Sequence, residues 1–82
     1  MNILIILTLT ATLLLSAVDI NSASKKELMT LKGIGKKKAM AIMEYRTAHC
    51  FKKIDAITKV KGVGEKTLEK NRANLEVGKC TK

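Results

Sequence analysis

Leu31-Lys32-Gly33-Ile34-Gly35 and Val60-Lys61-Gly62-Val63-Gly64 decide the fold. Both pentapeptides run apolar residue, lysine, glycine, β-branched residue, glycine, and Gly33 matches Gly62 at an offset of 29 residues. Glycine reaches backbone angles that other residues resist, so each run reads as a tight turn. The chain has no proline, which leaves its five glycines as the strong punctuation.

Outward from the first turn, Ser24-Lys25-Lys26-Glu27 reads as a capping box. The Ser24 hydroxyl accepts from the amide three residues on, and Glu27 reaches back. Leu28 and Leu31 give the short helix one apolar stripe. A second helix runs from Lys36 to about Thr47, with Ala39, Ile42 and Met43 at helical spacing. The order then recurs. Ile54, Ile57 and Val60 mark another short helix, with Asp55 in its first turn where the helix dipole favours an acid. Lys66 to Leu75 forms the last helix after the second turn. Val18 to Ala23 is an extended lead-in whose Ile20 tucks against the first helix, and Lys79 to Lys82 is a frayed tail. Each copy has too small an apolar face to stand alone. The expectation is therefore an all-α, compact (helix-hairpin-helix)2 domain of four to five short helices over residues 18–78, its two turns related by a pseudo-two-fold axis.

Ahead of this domain, Ile3 to Leu15 carries no charge, and residues 1–17 read as a secretory signal or an uncleaved N-terminal anchor. Ser16-Ala17 offers a cleavage point, against which stand Leu15 at the −3 position and the missing Lys or Arg before the apolar run. A retained segment is short for a span of about 20 residues. The lysines just beyond it would also hold that side in the cytoplasm. Export is the better fit, which places the domain in the periplasm or outside the cell, with the apolar segment engaging the membrane when retained.

The formal net charge of +9 belongs entirely to the region from Asp19 onward. Such a charge calls for a polyanion, either nucleic acid or anionic lipid. Tyr45 and Phe51 are the only Tyr or Phe and there is no Trp, so the core comes from Leu, Ile, Val, Met and Ala. Cys50 and Cys80 fit one disulfide closing a loop of about 30 residues; two free thiols fit equally well until the compartment is known. Two cysteines and one histidine without close spacing make no zinc site, and no cofactor motif is present.

A helix start presents unpaired N–H groups and partial positive charge, and preceding glycines let a phosphate approach without meeting a Cβ. The first hairpin would donate from Gly33 to about Lys38, backed by Lys36, Lys37 and Lys38. The second would donate from Gly62 to about Thr67, with Lys66 as the charge and the Thr67 hydroxyl as a further donor. Ile34 and Val63 serve as inward pegs. Lys25, Lys26, Lys52, Lys53, Lys70 and Arg72 read as solvated surface, Tyr45 and Arg46 as packing or surface, and His49 as an exposed connector residue. Phosphate contacts position a protein without reading bases. No helix carries several Arg, Asn or Gln spaced for a major groove. Two aromatics make a poor platform for single-stranded bases. The reading is duplex binding with little sequence preference and strong salt dependence.

Val18-Asp-Ile-Asn-Ser-Ala-Ser-Lys-Lys-Glu-Leu28, the two glycine turns, Glu44-Tyr-Arg46, Phe51-Lys-Lys-Ile-Asp55 and Glu65-Lys-Thr-Leu68 together resemble the ComEA-type competence proteins. The short form, with an apolar leader directly before the domain, is similar to their periplasmic members. The resemblance implies a non-catalytic receptor for double-stranded DNA that works with the DNA-uptake machinery in natural transformation. Three residues depart from the family pattern. Lys32 stands where proline is frequent, Lys53 replaces a Ser or Thr cap at a cost near 1 kcal/mol, and Asn71 occupies a position that favours an apolar residue. Buried and unpaired, Asn71 would cost about 1–3 kcal/mol. Similar modules occur in DNA repair, so a repair subunit or accessory protein is one alternative, and a basic membrane-surface or protein-docking domain is another. An enzyme built on Asp55 as a catalytic carboxylate is disfavoured, because a flipped base needs an enclosing pocket that so short a domain does not supply.

Overall fold

Residues 17–80 are described by a computed structural model; the apolar run and its expected export or anchoring fall outside them, as do Thr81 and Lys82. Among the described residues no helix is long and apolar enough to cross a membrane. The order is strand β1 (Val18–Asp19), helix α1 (Lys25–Leu28), helix α2 (Lys36–Ala48), a 3-10 helix (Ile54–Lys59), helix α3 (Glu65–Asn71) continued as a 3-10 turn (Arg72–Asn74), and strand β2 (Leu75–Glu76).

Helix α1 is short but well started. The Glu27 amide donates to Ser24 Oγ at 3.1 Å and the Ser24 amide to Glu27 Oε1 at 2.8 Å, as the capping box predicts. The third helix is 3-10 rather than α, and its Lys53 cap position makes no side-chain hydrogen bond. Branching at Ile54, Ile57 and Thr58 also restricts the rotamers that an α-helix demands. The last helix stops earlier than its apolar pattern suggests, and Leu75 reaches the core from a strand.

The strands correct the all-α expectation. β1 and β2 pair in parallel, Val18 opposite Leu75 and Asp19 opposite Glu76, and the Ile20 amide donates to the Glu76 carbonyl at 3.1 Å. The lead-in and the exit are both extended segments with unspent backbone groups, and each satisfies the other. Ile20, fully buried, follows directly and ties this ribbon to the helices.

One continuous core holds both halves: Leu28, Leu31 and Ile42 from the first copy, Ile57, Val60 and Leu68 from the second, with Phe51 between. Ile34 and Val63 are 4% and 3% exposed, the inward pegs of their turns. Two polar side chains tie these segments, Asn21 across the halves and Arg46 within the first. Asn21 Oδ1 accepts the Phe51 amide at 2.7 Å while its Nδ2 donates to the Phe51 carbonyl at 2.8 Å. Arg46 donates to the carbonyls of Ile20 and Ala23 at 3.0 and 2.7 Å, fixing the bend between β1 and α1.

Cys50 and Cys80 are joined by a disulfide with a Cα–Cα distance of 5.5 Å, which chooses between the two expectations for these residues. The tail is therefore tied rather than frayed at Cys80, and the Gly78 amide donates to Asp19 Oδ1 at 2.9 Å.

Candidate nucleic-acid interface

The two glycines of each turn do different work. Gly33 and Gly62 have φ of +77° and +94°, the left-handed region that a side chain resists. Gly35 and Gly64 are extended and cap α2 and α3 without any side-chain bond. A Cβ added at either would meet no protein atom within 4 Å. Packing within the chain thus does not require glycine at Gly35 or Gly64.

The turns themselves consume some of the expected donors. The Ile34 and Val63 amides donate back to the Leu31 and Val60 carbonyls at 3.2 and 3.0 Å. This corrects the wider donor ranges, since Ile34 and Val63 have neither an accessible side chain nor a spare N–H. The first α-helical bonds run from Ala39 to Gly35 at 2.9 Å and from Leu68 to Gly64 at 3.1 Å. Within the remaining ranges, Gly35 to Lys38 and Gly64 to Thr67 form the first turn of each helix, whose amides have no partner inside the helix.

Packing brings these two starts together. A Cβ on Gly33 would lie 4.0 Å from Thr67 Oγ1, and one on Gly62 would lie 3.7 Å from Lys38 Cγ. Lys38 and Thr67 are equivalent positions at the 29-residue offset, so each turn rests on the other copy's helix start. That reciprocity is the contact pattern a pseudo-two-fold axis between the copies requires. Lys37, Lys38, Ala41, Lys61 and Gly62 line a shallow concavity of about 410 Å³ at the junction. Lys36, Lys37 and Lys66 are exposed; Lys38 is half-buried, with Nζ 3.4 Å from the Gly33 carbonyl. The halves are not electrostatically equal, because Glu65 fills the position that Lys36 holds in the first copy.

Asn71 is where reading the sequence fell short. It is 2% exposed, yet Oδ1 accepts the Lys32 amide at 2.8 Å and Nδ2 donates to the Lys32 and Thr67 carbonyls at 2.9 Å each. The expected penalty for a buried, unpaired amide does not arise. Its signal was the break in the repeat, Asn71 standing where the first copy has Ile42.

Asp55, the residue an enzyme would need, lies at the surface with its side chain 52% exposed and pairs with Arg72 at 3.1 Å. Arg72 is no free surface cation: the hydrogen bonds it donates to Glu69 and then to Asp55 hold its pKa above the ordinary value, and Arg72 in turn lowers that of Glu69. Among the described residues no group of His, Cys, Asp or Glu is arranged to hold a metal ion.

Residues 15–76 match the helix-hairpin-helix motif family. The chain belongs to that family. It is 44% identical over 61 residues to ComE operon protein 1 of Bacillus subtilis, covering 73% of this chain and 30% of the relative. It is 46% identical over 60 residues to an uncharacterized protein of Haemophilus influenzae, covering 71% of this chain and 54% of that protein. An endonuclease/exonuclease/phosphatase family domain-containing protein 1 from Danio rerio is 43% identical over 53 residues, covering 63% of this chain and 10% of the relative. The helix-hairpin-helix chain thus spans from about a tenth to about half the length of these relatives. The family assignment and the ComE likeness agree with the resemblance drawn from the turns and their flanks.

Proposed function

We propose that this helix-hairpin-helix protein binds double-stranded DNA without sequence preference and serves as an exported, non-catalytic receptor in DNA uptake. The carrying observation is the reciprocal packing of the turns, Gly33 against Thr67 and Gly62 against Lys38. It sets two sets of unpaired amides side by side, each bordered by lysine, and a duplex offers two phosphate strands to meet them. Amides and dipoles at helix starts favour phosphate oxygens. Contacts of this kind carry no base information, so affinity tracks salt rather than sequence.

The likeness to ComE operon protein 1 supports competence as the setting. The Cys50–Cys80 disulfide supports an oxidising compartment, in keeping with a periplasmic location. The surface ion pair of Asp55 with Arg72 leaves that carboxylate no enclosed site for chemistry on a base. A gel-shift titration with unrelated duplexes at several salt concentrations tests the reading. Similar affinity for every sequence, falling steeply with salt, is the expected result. A preferred sequence, or binding indifferent to salt, overturns it.

A further inference from the structure

We propose a second binding site, a basic groove between α2 and the Ile54–Lys59 helix that takes an extended single strand of nucleic acid. It rests on the preceding reading only in that the groove opens beside the hairpins. Three adjoining concavities build it. The one at the turns shares Ala41 and Lys61 with a second of about 360 Å³, which in turn shares Tyr45 and Lys59 with a third of about 320 Å³. Lysines follow the whole course, from Lys37 and Lys38 through Lys61 and Lys59 to Lys52 and Lys53. Glu44 is the one acid along these walls. Asp55, on the helix that forms one wall, pairs with Arg72 at 3.1 Å, a cation it shares with Glu69.

At the far end the fold assembles what the sequence alone does not display. Tyr45 stacks on buried Phe51 with centroids 5.3 Å apart and lies 5.1 Å from the ring of His49. Three rings thus run from the core out to an exposed imidazole beside Lys52 and Lys53. A positively charged trough ending in an accessible ring is the combination that holds single strands, lysine to phosphate and ring to base.

The feature is confined to one half. At the 29-residue offset, Tyr45, His49, Lys53 and Lys59 correspond to Asn74, Gly78, Ser24 and Thr30. The hairpin fold is built in both halves, so it does not itself require rings or lysines at these positions. The most direct occupant is the unpaired strand at the end of a duplex held by the hairpins.

Tyr45 is the only tyrosine and there is no tryptophan, so intrinsic fluorescence reports on this end alone. The full chain, in detergent, is titrated with a twelve-residue oligothymidylate, with a blunt duplex, and with polyglutamate of equal charge. The oligothymidylate should quench Tyr45. A Lys53→Glu/Lys59→Glu variant and a His49→Ala variant, all at exposed positions, should each weaken that binding by about tenfold and leave the blunt duplex within about twofold. Absence of quenching while the blunt duplex still binds overturns the groove and spares the hairpins. Loss of duplex binding with quenching intact does the reverse, and loss of both removes both. Equal quenching by polyglutamate, or unchanged oligothymidylate binding in the variants, also overturns the groove, because a ring-to-base contact would then play no part.

Discussion

The Asn71 side chain holds Lys32 by both backbone groups, accepting its N–H at 2.8 Å and donating to its C=O at 2.9 Å. A residue in the last helix therefore fixes the entry to the first turn, 39 positions away. Asn21 does the same for Phe51. In each case one half of the repeat is stitched to the other through a single buried or half-buried amide. Asn71→Ala strands the Lys32 groups and opens a cavity, and the expected loss is about 1–3 kcal/mol. Asn71→Ile, which restores the residue of the first copy, should lose a similar amount because it too leaves Lys32 unpaired. Thermal unfolding followed by circular dichroism checks both; full stability in the isoleucine variant would mean that the hydrogen bonds contribute nothing.

The glycines separate folding from binding. At Gly33 and Gly62 the backbone is left-handed, and alanine there should cost about 1–2 kcal/mol. At Gly35 and Gly64 a Cβ meets open space, so alanine should leave stability within about 0.5 kcal/mol. Those same variants should lose duplex affinity, because the added methyl stands in front of the amides. Denaturant melts beside gel shifts read the two properties separately, and wild-type affinity in both capping variants would refute the proposed phosphate approach.

Much of this was legible from the chain alone. The repeated turn, the Ser24–Glu27 capping box and the pegs Ile34 and Val63 all follow from local chemistry, and all are found in the fold. The β1–β2 ribbon was not, since two-residue strands have no alternation to read and their partners are far apart in sequence. Asn71 escaped for a related reason: an amide in an apolar stripe looks like a defect until its distant partners are known. Arg72 likewise reads as solvated surface, although Asp55, its partner, lies 17 positions back.

Charge at the two helix starts gives a graded prediction. Lys36→Glu/Lys37→Glu/Lys38→Glu should abolish binding to duplexes of any sequence while helical content persists. Glu65→Lys should do the opposite. It gives the second hairpin the charge of the first, at a cost of about 0.3–1 kcal/mol for replacing an acid at a helix start. If the new lysine meets a phosphate, the slope of log affinity against log salt steepens by about 0.9. An unchanged slope would place the second hairpin away from the duplex.

The disulfide acts on a different property from the hairpins. Cys50 lies in the connector after α2 and Cys80 beyond β2, on the aromatic end of the molecule rather than at the turns. Reduction, or Cys50→Ser/Cys80→Ser, releases a loop with a sequence separation of 30 and should lower stability by about 3–4 kcal/mol. Duplex affinity measured well below the melting temperature should stay within about twofold of the oxidised protein. A large loss of affinity in a still-folded reduced protein would show that the hairpins depend on this tether.

Asp19 makes the ribbon sensitive to acid. Burial acts to raise its pKa, but the Gly78 and Asn21 amides, the Ser22 hydroxyl and the charge of Arg46 outweigh that and hold it below the ordinary 3.8. The Gly78 and Asn21 amides both donate to Oδ1 at 2.9 Å. A carboxyl whose pKa is lower folded than unfolded adds stability that is complete above the unfolded value. That contribution fades as pH falls through the folded one. Asp19→Asn keeps an acceptor for the amides and loses the charge, so it should be less stable than wild type at pH 7 by about 1 kcal/mol. The gap should close as pH drops below 3.8. Paired melts from pH 7 to pH 2 measure it, and a gap constant across that range would show that the Asp19 charge does not hold the Gly78 segment in place.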